Sequence, residues 1–211
     1  MTDRAGARQT AEDALAGRVA ARRGAASAHA EKLRELGAID RAVYQAVVRT
    51  PTPKLDGPFR RLSNAANHSR LWLCAAAAIA VVGGKRGRRA ALEGLLAISV
   101  TSATVNLLIK PVVRRRRPDR AGSALSGARH VQLPESTSFP SGHAASAFAF
   151  AYAVGRHVPE LAVPIRLLAS GVAYSRVHTG VHYPGDVVIG SVLGAGTAAM
   201  VAAACDRLLP V

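Results

Sequence analysis

Between Ser175 and Asp186 the chain reads Ser-Arg-Val-His-Thr-Gly-Val-His-Tyr-Pro-Gly-Asp, a polar stretch between two apolar runs. Arg176 supplies a forked cation matched to a phosphate or a carboxylate. His182 and Asp186 are four residues apart, and a helix beginning near Pro184 would let the carboxylate meet the imidazole. Such a pairing selects one histidine tautomer and raises the basicity of the free ring nitrogen. A second cluster, Phe139-Pro-Ser-Gly-His-Ala144, directly precedes an apolar run. Pro140 and Ser141 fit a helix start, with Ser141 near the cap. Gly142 lets a ligand approach free backbone N–H groups that form an anion site. His143 falls in the first turn, placed to give a proton to whatever that cradle holds. The third cluster is Lys110, followed after six residues by Arg117-Pro118. Taken alone, a basic run at the end of an apolar segment is most often a topology signal.

The remaining sequence has to bring these clusters together. Of its 211 residues 49% are hydrophobic and 4% aromatic, and 28 Lys+Arg against 13 Asp+Glu leave a net charge of +15. Such a balance belongs to nucleic-acid binders or to membrane proteins with basic flanks. The distribution separates the two. The apolar runs are nearly free of charge and the arginines gather between them, which speaks against a nucleic-acid partner. Ala90–Ile109 has Glu93 as its only charge, and Val187–Cys205 has none; both match the length of a bilayer crossing. Leu71–Gly84 is shorter, extended by His68, Ser69 and Arg70. Ala144–Val154 and Leu161–Tyr174 flank a break at Gly155–Glu160. The expectation is an all-α helical membrane bundle of about five spans with N-terminal amphipathic, interfacial helices. Residues 1–38 form a polar, Arg/Ala-rich arm, 39–70 the interfacial helices and 71–211 the membrane-embedded domain. In the first interfacial helix Ile39, Val43, Ala46 and Val47 share the apolar face, and Pro51 and Pro53 end it. Cys74 and Cys205 read as small buried hydrophobes. A soluble Ala-rich bundle is the alternative, and the two runs near 20 residues weigh against it.

Together the clusters offer Lys110, Arg117 and Arg176 as fixed cations, Ser141 and Gly142 as neutral donors, and His143, His182 and Asp186 as acid–base groups. That set fits a phosphoryl group passing through a crowded five-coordinate state. Positive charge holds the equatorial oxygens, a nucleophile stands on one side and a proton donor on the other. No metal site and no cofactor site is read. The histidines lack a carboxylate or cysteine partner set at ligand spacing, and three cations repel a divalent ion.

Lys110…Arg117-Pro118, Pro140-Ser141-Gly142-His143 and Ser175-Arg176…His182…Asp186, in that order, resemble the type-2 phosphatidic acid phosphatase superfamily. The superfamily comprises the lipid phosphate phosphatases and shares its active site with bacterial acid phosphatases and vanadium haloperoxidases. The resemblance covers roughly Leu71–Cys205. It implies that His182 attacks phosphorus and becomes a phosphohistidine, with Asp186 orienting it, and that His143 protonates the leaving oxygen. It implies that Lys110, Arg117, Arg176, Ser141 and the Gly142 amide hold the phosphate oxygens, and that water then hydrolyses the phosphoenzyme. His178 lies outside the motifs and reads as a loop residue. Arg114, Arg115 and Arg116 read as lipid-headgroup contacts. Membrane members commonly have six spans; here Ile39–Ser69 takes the place of a first one. The function expected is a metal-independent phosphatase acting on a polyprenyl or glycerolipid phosphate, integral to the plasma membrane of a bacterium. Its partners are then the lipid substrate and membrane lipids, and the motifs do not fix an oligomeric state. Two alternatives keep part of this evidence. One is a soluble acid phosphatase or vanadate-dependent haloperoxidase; the other is a non-enzymatic basic protein binding anionic lipid or nucleic acid by charge.

Overall fold

The computed structural model describes residues 3–120 and 123–208, and among them every regular element is helical. Helix α1 runs Asp3–Arg49 and stops just before Pro51, because the residue preceding a proline is driven out of the helical region. The chain divides at Ala42/Val43. The first unit is helical, and the side chains described from Gly24 to Leu36 are exposed. Within the second unit the end of α1 buries Tyr44 and Val48 and half-buries Val47. Ile39 and Val43, expected on the apolar face, are 61% and 46% exposed. The buried stripe is thus rotated from the one periodicity suggested, since the large aromatic at 44 has a pocket to fill.

Helix α2 (Pro53–Ala65) opens on a proline, whose missing N–H costs nothing at a helix start. A bend of 68° follows before the chain continues into α3 (Arg70–Val82). Helix α4 (Gly84–Val112) contains a π-helical stretch, Thr104–Ile109, near its end. A loop then leads to α5 (Gly142–His157), whose start is capped by Ser141 Oγ accepting from the Ala144 N–H. Helices α6 (Ala162–His178) and α7 (Pro184–Leu208) complete the bundle.

Small residues line the closest contacts inside the bundle, around Trp72 and Phe150, and many large apolar ones face outward. Helix α5 lies at its centre, with Ala144, Ala145, Ala147, Ala149, Ala151 and Ala153 all buried. Against it α7 presents Gly190 and Gly194. A Cβ on Gly194 would lie 2.0 Å from the Ala145 carbonyl oxygen, and one on Gly190 2.5 Å from that of Ser141. Meanwhile Leu92, Leu107, Leu108, Val112, Leu167, Val192 and Met200 are exposed. In lipid there is no apolar driving force between helices, so close backbone contact through small residues takes its place. Helices α4 and α7 are long and apolar enough to cross a membrane, and α2 with α3 make a third crossing if the bent pair is one span. Helices α5 and α6, with 16 and 17 residues, are shorter.

Glu93, the one charge in the apolar run of α4, is buried and neutralised at the far end of α5. It accepts from His157 Nε2 at 2.7 Å and Arg156 Nη1 at 3.3 Å. Both cysteines are free and neither is buried; Cys205 is half-buried and Cys74 exposed. It sits on a helix whose Leu73 is also exposed.

Candidate active site

At the opposite end, a cavity of about 240 Å³ opens among Ser102, Asn106 and Lys110 of α4, Gly142, His143 and Ser146 of α5, and His182. Arg117, Pro134 and Ser136 of the long loop and Ala66, His68 and Ser69 of the α2–α3 bend complete its wall. Residues distant in sequence from each of the three motifs thus meet around one volume.

His182 lies in the short turn between α6 and α7, only 2% exposed. Its Nε2 is 3.3 Å from Arg117 Nη1. A guanidinium only donates, so Nε2 must carry a lone pair and the ring hydrogen sits on Nδ1. Nδ1 lies at an ion-pair distance of 3.5 Å from Asp186 Oδ2. Ser138 Oγ stands between them: it donates to Asp186 Oδ2 at 2.5 Å and lies 3.4 Å from Nδ1. The Tyr183 N–H donates to the same oxygen, and Arg115 Nη1 to Oδ1 at 2.8 Å. Burial pushes the His182 imidazole down to about 4, against the pull of Asp186 and helped by the charges of Arg176 and Arg117. At neutral pH the ring is therefore uncharged.

Arg117 is held by its surroundings before any ligand arrives. Nε donates to the Ser136 carbonyl at 2.9 Å, Nη2 to Thr137 O at 3.2 Å and Nη1 to Val181 O at 3.1 Å. Lys110 Nζ donates to Ser136 Oγ at 3.1 Å and stands 4.0 Å from where a Cβ on Gly142 would be. Arg176 is fully buried and is not among the residues that line the cavity. Its Nη1 donates to Ser63 Oγ at 2.6 Å, while Nε and Nη2 have no protein partner. Two unpaired donors on a buried cation are costly unless an anion receives them. Ser141 is likewise buried, with its hydroxyl committed to the α5 cap, and it does not line the cavity. Its N–H donates to the Asp186 carbonyl at 2.9 Å, tying the start of α5 to the start of α7.

Several residues that sequence reasoning passed over take part. Arg115, read as a lipid-headgroup contact, pairs with Asp186 and stacks over the Tyr183 ring at 4.3 Å. In a run of four arginines nothing in the sequence separates it from its neighbours. Ser138, two residues before Pro140, carries no signal of its own. His178, read as a loop residue, is the last residue of α6 and 1% exposed. Its Nε2 lies 3.1 Å from Asp56 Oδ1, which also receives Arg129 Nε at 2.8 Å. Arg129 then donates to the carbonyls of Val47 and Thr50. This buried cluster fastens α2 and the end of α1 to the base of the site. Arg120 does the same for the turn holding His182, donating to the carbonyls of Thr179, Gly180 and Val131.

The family model that matches is that of the PAP2 superfamily, over residues 90–208. The chain belongs to this superfamily, and it is an integral membrane phosphatase. It is 37% identical over 160 residues to the decaprenylphosphoryl-5-phosphoribose phosphatase of Mycobacterium tuberculosis, spanning 76% of this chain and 85% of the relative. A lipid A 4'-phosphatase of Bacteroides thetaiotaomicron is 30% identical over 104 residues, 47% of this chain and 46% of that one. Among solved structures, a transmembrane PAP2-type phosphatidylglycerolphosphate phosphatase from Bacillus subtilis superposes with a TM-score of 0.63 at 25% identity. The match covers 83% of this chain and 89% of that one.

Proposed function

We propose that the protein hydrolyses a lipid phosphate in a bacterial plasma membrane, through a phosphohistidine and without a metal ion. The observation that carries the reading is the state of His182: uncharged, with the Nε2 lone pair on the cavity side beside Arg117 and the Nδ1 hydrogen turned to Asp186. A nucleophile needs this arrangement, because the ring becomes cationic as Nε2 bonds to phosphorus and the carboxylate behind stabilises it.

In the first half-reaction His182 Nε2 attacks phosphorus and the bond from phosphorus to the leaving oxygen breaks. His143 supplies the proton that oxygen requires. Lys110, Arg117 and Arg176 receive the negative charge spread over the equatorial oxygens, with the Gly142 N–H beside them. In the second half-reaction a water loses its proton to His143 and attacks phosphorus, releasing inorganic phosphate and restoring His182. Ser141 contributes through the helix start it caps.

The relatives named above act on a polyprenylphosphoryl pentose phosphate, a lipid A phosphate and a phosphatidylglycerol phosphate. All carry a phosphomonoester on a lipid. The 37% relative makes a polyprenylphosphoryl pentose phosphate the first substrate to test. Detergent-solubilised protein should release phosphate from it in the presence of EDTA, with phosphatidylglycerol phosphate and phosphatidate as comparisons. His182→Ala should remove the activity, a loss of at least about 1,000-fold for a missing nucleophile. Turnover surviving that substitution would overturn the mechanism.

A further inference from the structure

The α2–α3 bend contributes more to the cavity than a wall. His143 Nε2 lies 2.9 Å from Asn67 Oδ1, a contact across 76 residues of sequence from a segment outside all three motifs. The backbone at the bend is held in an uncommon form. His68 and Ser69, neither of them glycine, have φ of 53° and 57°, a left-handed conformation that side chains other than glycine rarely adopt. Two such residues in succession follow Asn67 and turn the chain into α3 at the rim of the cavity. His68 and Ser69 line that rim.

We propose that Asn67 is a positioning residue for His143: its side-chain carbonyl accepts the Nε2 hydrogen and so fixes which ring nitrogen exchanges the proton. The inference rests on the assignment of His143 as acid and base in the reaction above. The chemistry explains why one nitrogen must be held. As the leaving group departs, the imidazolium Nδ1–H bond breaks and its proton passes to the leaving oxygen. The neutral ring then keeps its remaining hydrogen on Nε2, against Asn67. Nδ1 is left with a lone pair, which takes the proton from the attacking water in the second half-reaction. Without an acceptor at Nε2 the neutral ring could place its hydrogen on Nδ1, and the base would be lost. Lys110, Arg117, Arg176 and His182 all bear electrostatically on His143. The three cations cannot accept that hydrogen, and the Nε2 lone pair of His182 is engaged by Arg117. Apart from the neutral His182 ring these groups are cations, and Asn67 provides the opposing dipole.

The test compares two substrates in detergent. A long-chain alkyl phosphate has a basic leaving oxygen that must be protonated, whereas p-nitrophenyl phosphate has an acidic one that need not be. Asn67→Ala should lower kcat/KM, which reports the first half-reaction and not the shared hydrolysis of the phosphohistidine, about ten-fold on the alkyl phosphate, part of the span general acid–base catalysis supplies, and far less on the aryl phosphate. A retained kcat/KM on the aryl phosphate also reports that the variant folds. Asn67→Asp, which keeps an acceptor oxygen at the same position, should lose less than Asn67→Ala. In a His143→Ala background, adding Asn67→Ala should cost nothing further on the alkyl phosphate. Equal losses on both substrates, an additive loss in the double variant, or an Asp variant as poor as the Ala variant would each overturn the proposal. His143→Ala by itself separates the two levels. If its loss in kcat/KM does not depend on the leaving group, the assignment of His143 as the acid has failed; if it does and that of Asn67→Ala does not, only the role of Asn67 has failed.

Discussion

At the scale of single residues the site is defined by which side chains are held before substrate arrives. Asp186 receives donors from Ser138, the Tyr183 backbone and Arg115, so its carboxylate can neither rotate nor wander from His182. Arg117 is pinned by three carbonyls. Preorganisation of this kind removes the reorganisation that water would have to undergo around a developing charge. It also sets a pH dependence. A nucleophile must be deprotonated, and the His182 ring loses its proton at about 4, below the usual value of about 6.5. Since the depressed value means the neutral form dominates above it, kcat/KM should rise as pH passes upward through about 4 and show no further gain from this group. Measuring kcat/KM from pH 3.5 to 8 checks the sign. An acid limb centred near 6.5, tied to His182, would show that burial does not govern the ring.

At the scale of elements, the contact between α5 and α7 matters most. The start of α5 carries His143 and the start of α7 carries Asp186, and the Ser141 N–H joins the two ends. Gly190 and Gly194 let the helices touch at backbone distance below that joint. A methyl group at 194 would collide with the Ala145 carbonyl, an atom that cannot move without its helix. Gly194→Ala should therefore lower stability in detergent by about 1–3 kcal/mol, the usual cost of overpacking, and lower phosphatase activity with it. A thermal unfolding midpoint unchanged from the parent protein would argue against so tight a contact. The cluster of Asp56, Arg129 and His178 has a related part, since it joins α2 to α6 and holds the bend bearing Asn67 over the cavity.

For the molecule as a whole, the distribution of side-chain size is the informative feature. Alanines and glycines make the closest helix contacts around a few large core side chains such as Trp72 and Phe150, while many leucines and valines and Met200 face outward. In water that surface would be an aggregation hazard; in a bilayer it is the solvated face. The protein should accordingly stay in the membrane pellet through a high-salt and carbonate wash and leave it only with detergent. Release by salt alone would mean that the net charge of +15, not the apolar surface, is what holds it there.

The sequence by itself determined the chemistry on offer and the environment it works in. Three motifs with fixed internal spacing are local patterns, and so are charge-free runs the length of a bilayer, which is why both were legible along the chain. The pairing of His182 with Asp186 at a helix beginning on Pro184 was likewise visible, because it is a contact over one helical turn. Only the tertiary structure decided how the motifs meet, which of four consecutive arginines faces Asp186, and that Asn67 stands against His143. Those contacts join segments dozens of residues apart, and they depend on how closely alanine- and glycine-lined helices approach, on where α4 takes up its π-helical stretch, and on the 68° bend after α2. Periodicity reports which face of a helix is apolar. It does not report what that face will touch, and for His178 and Asp56 the answer came from the partner each one found.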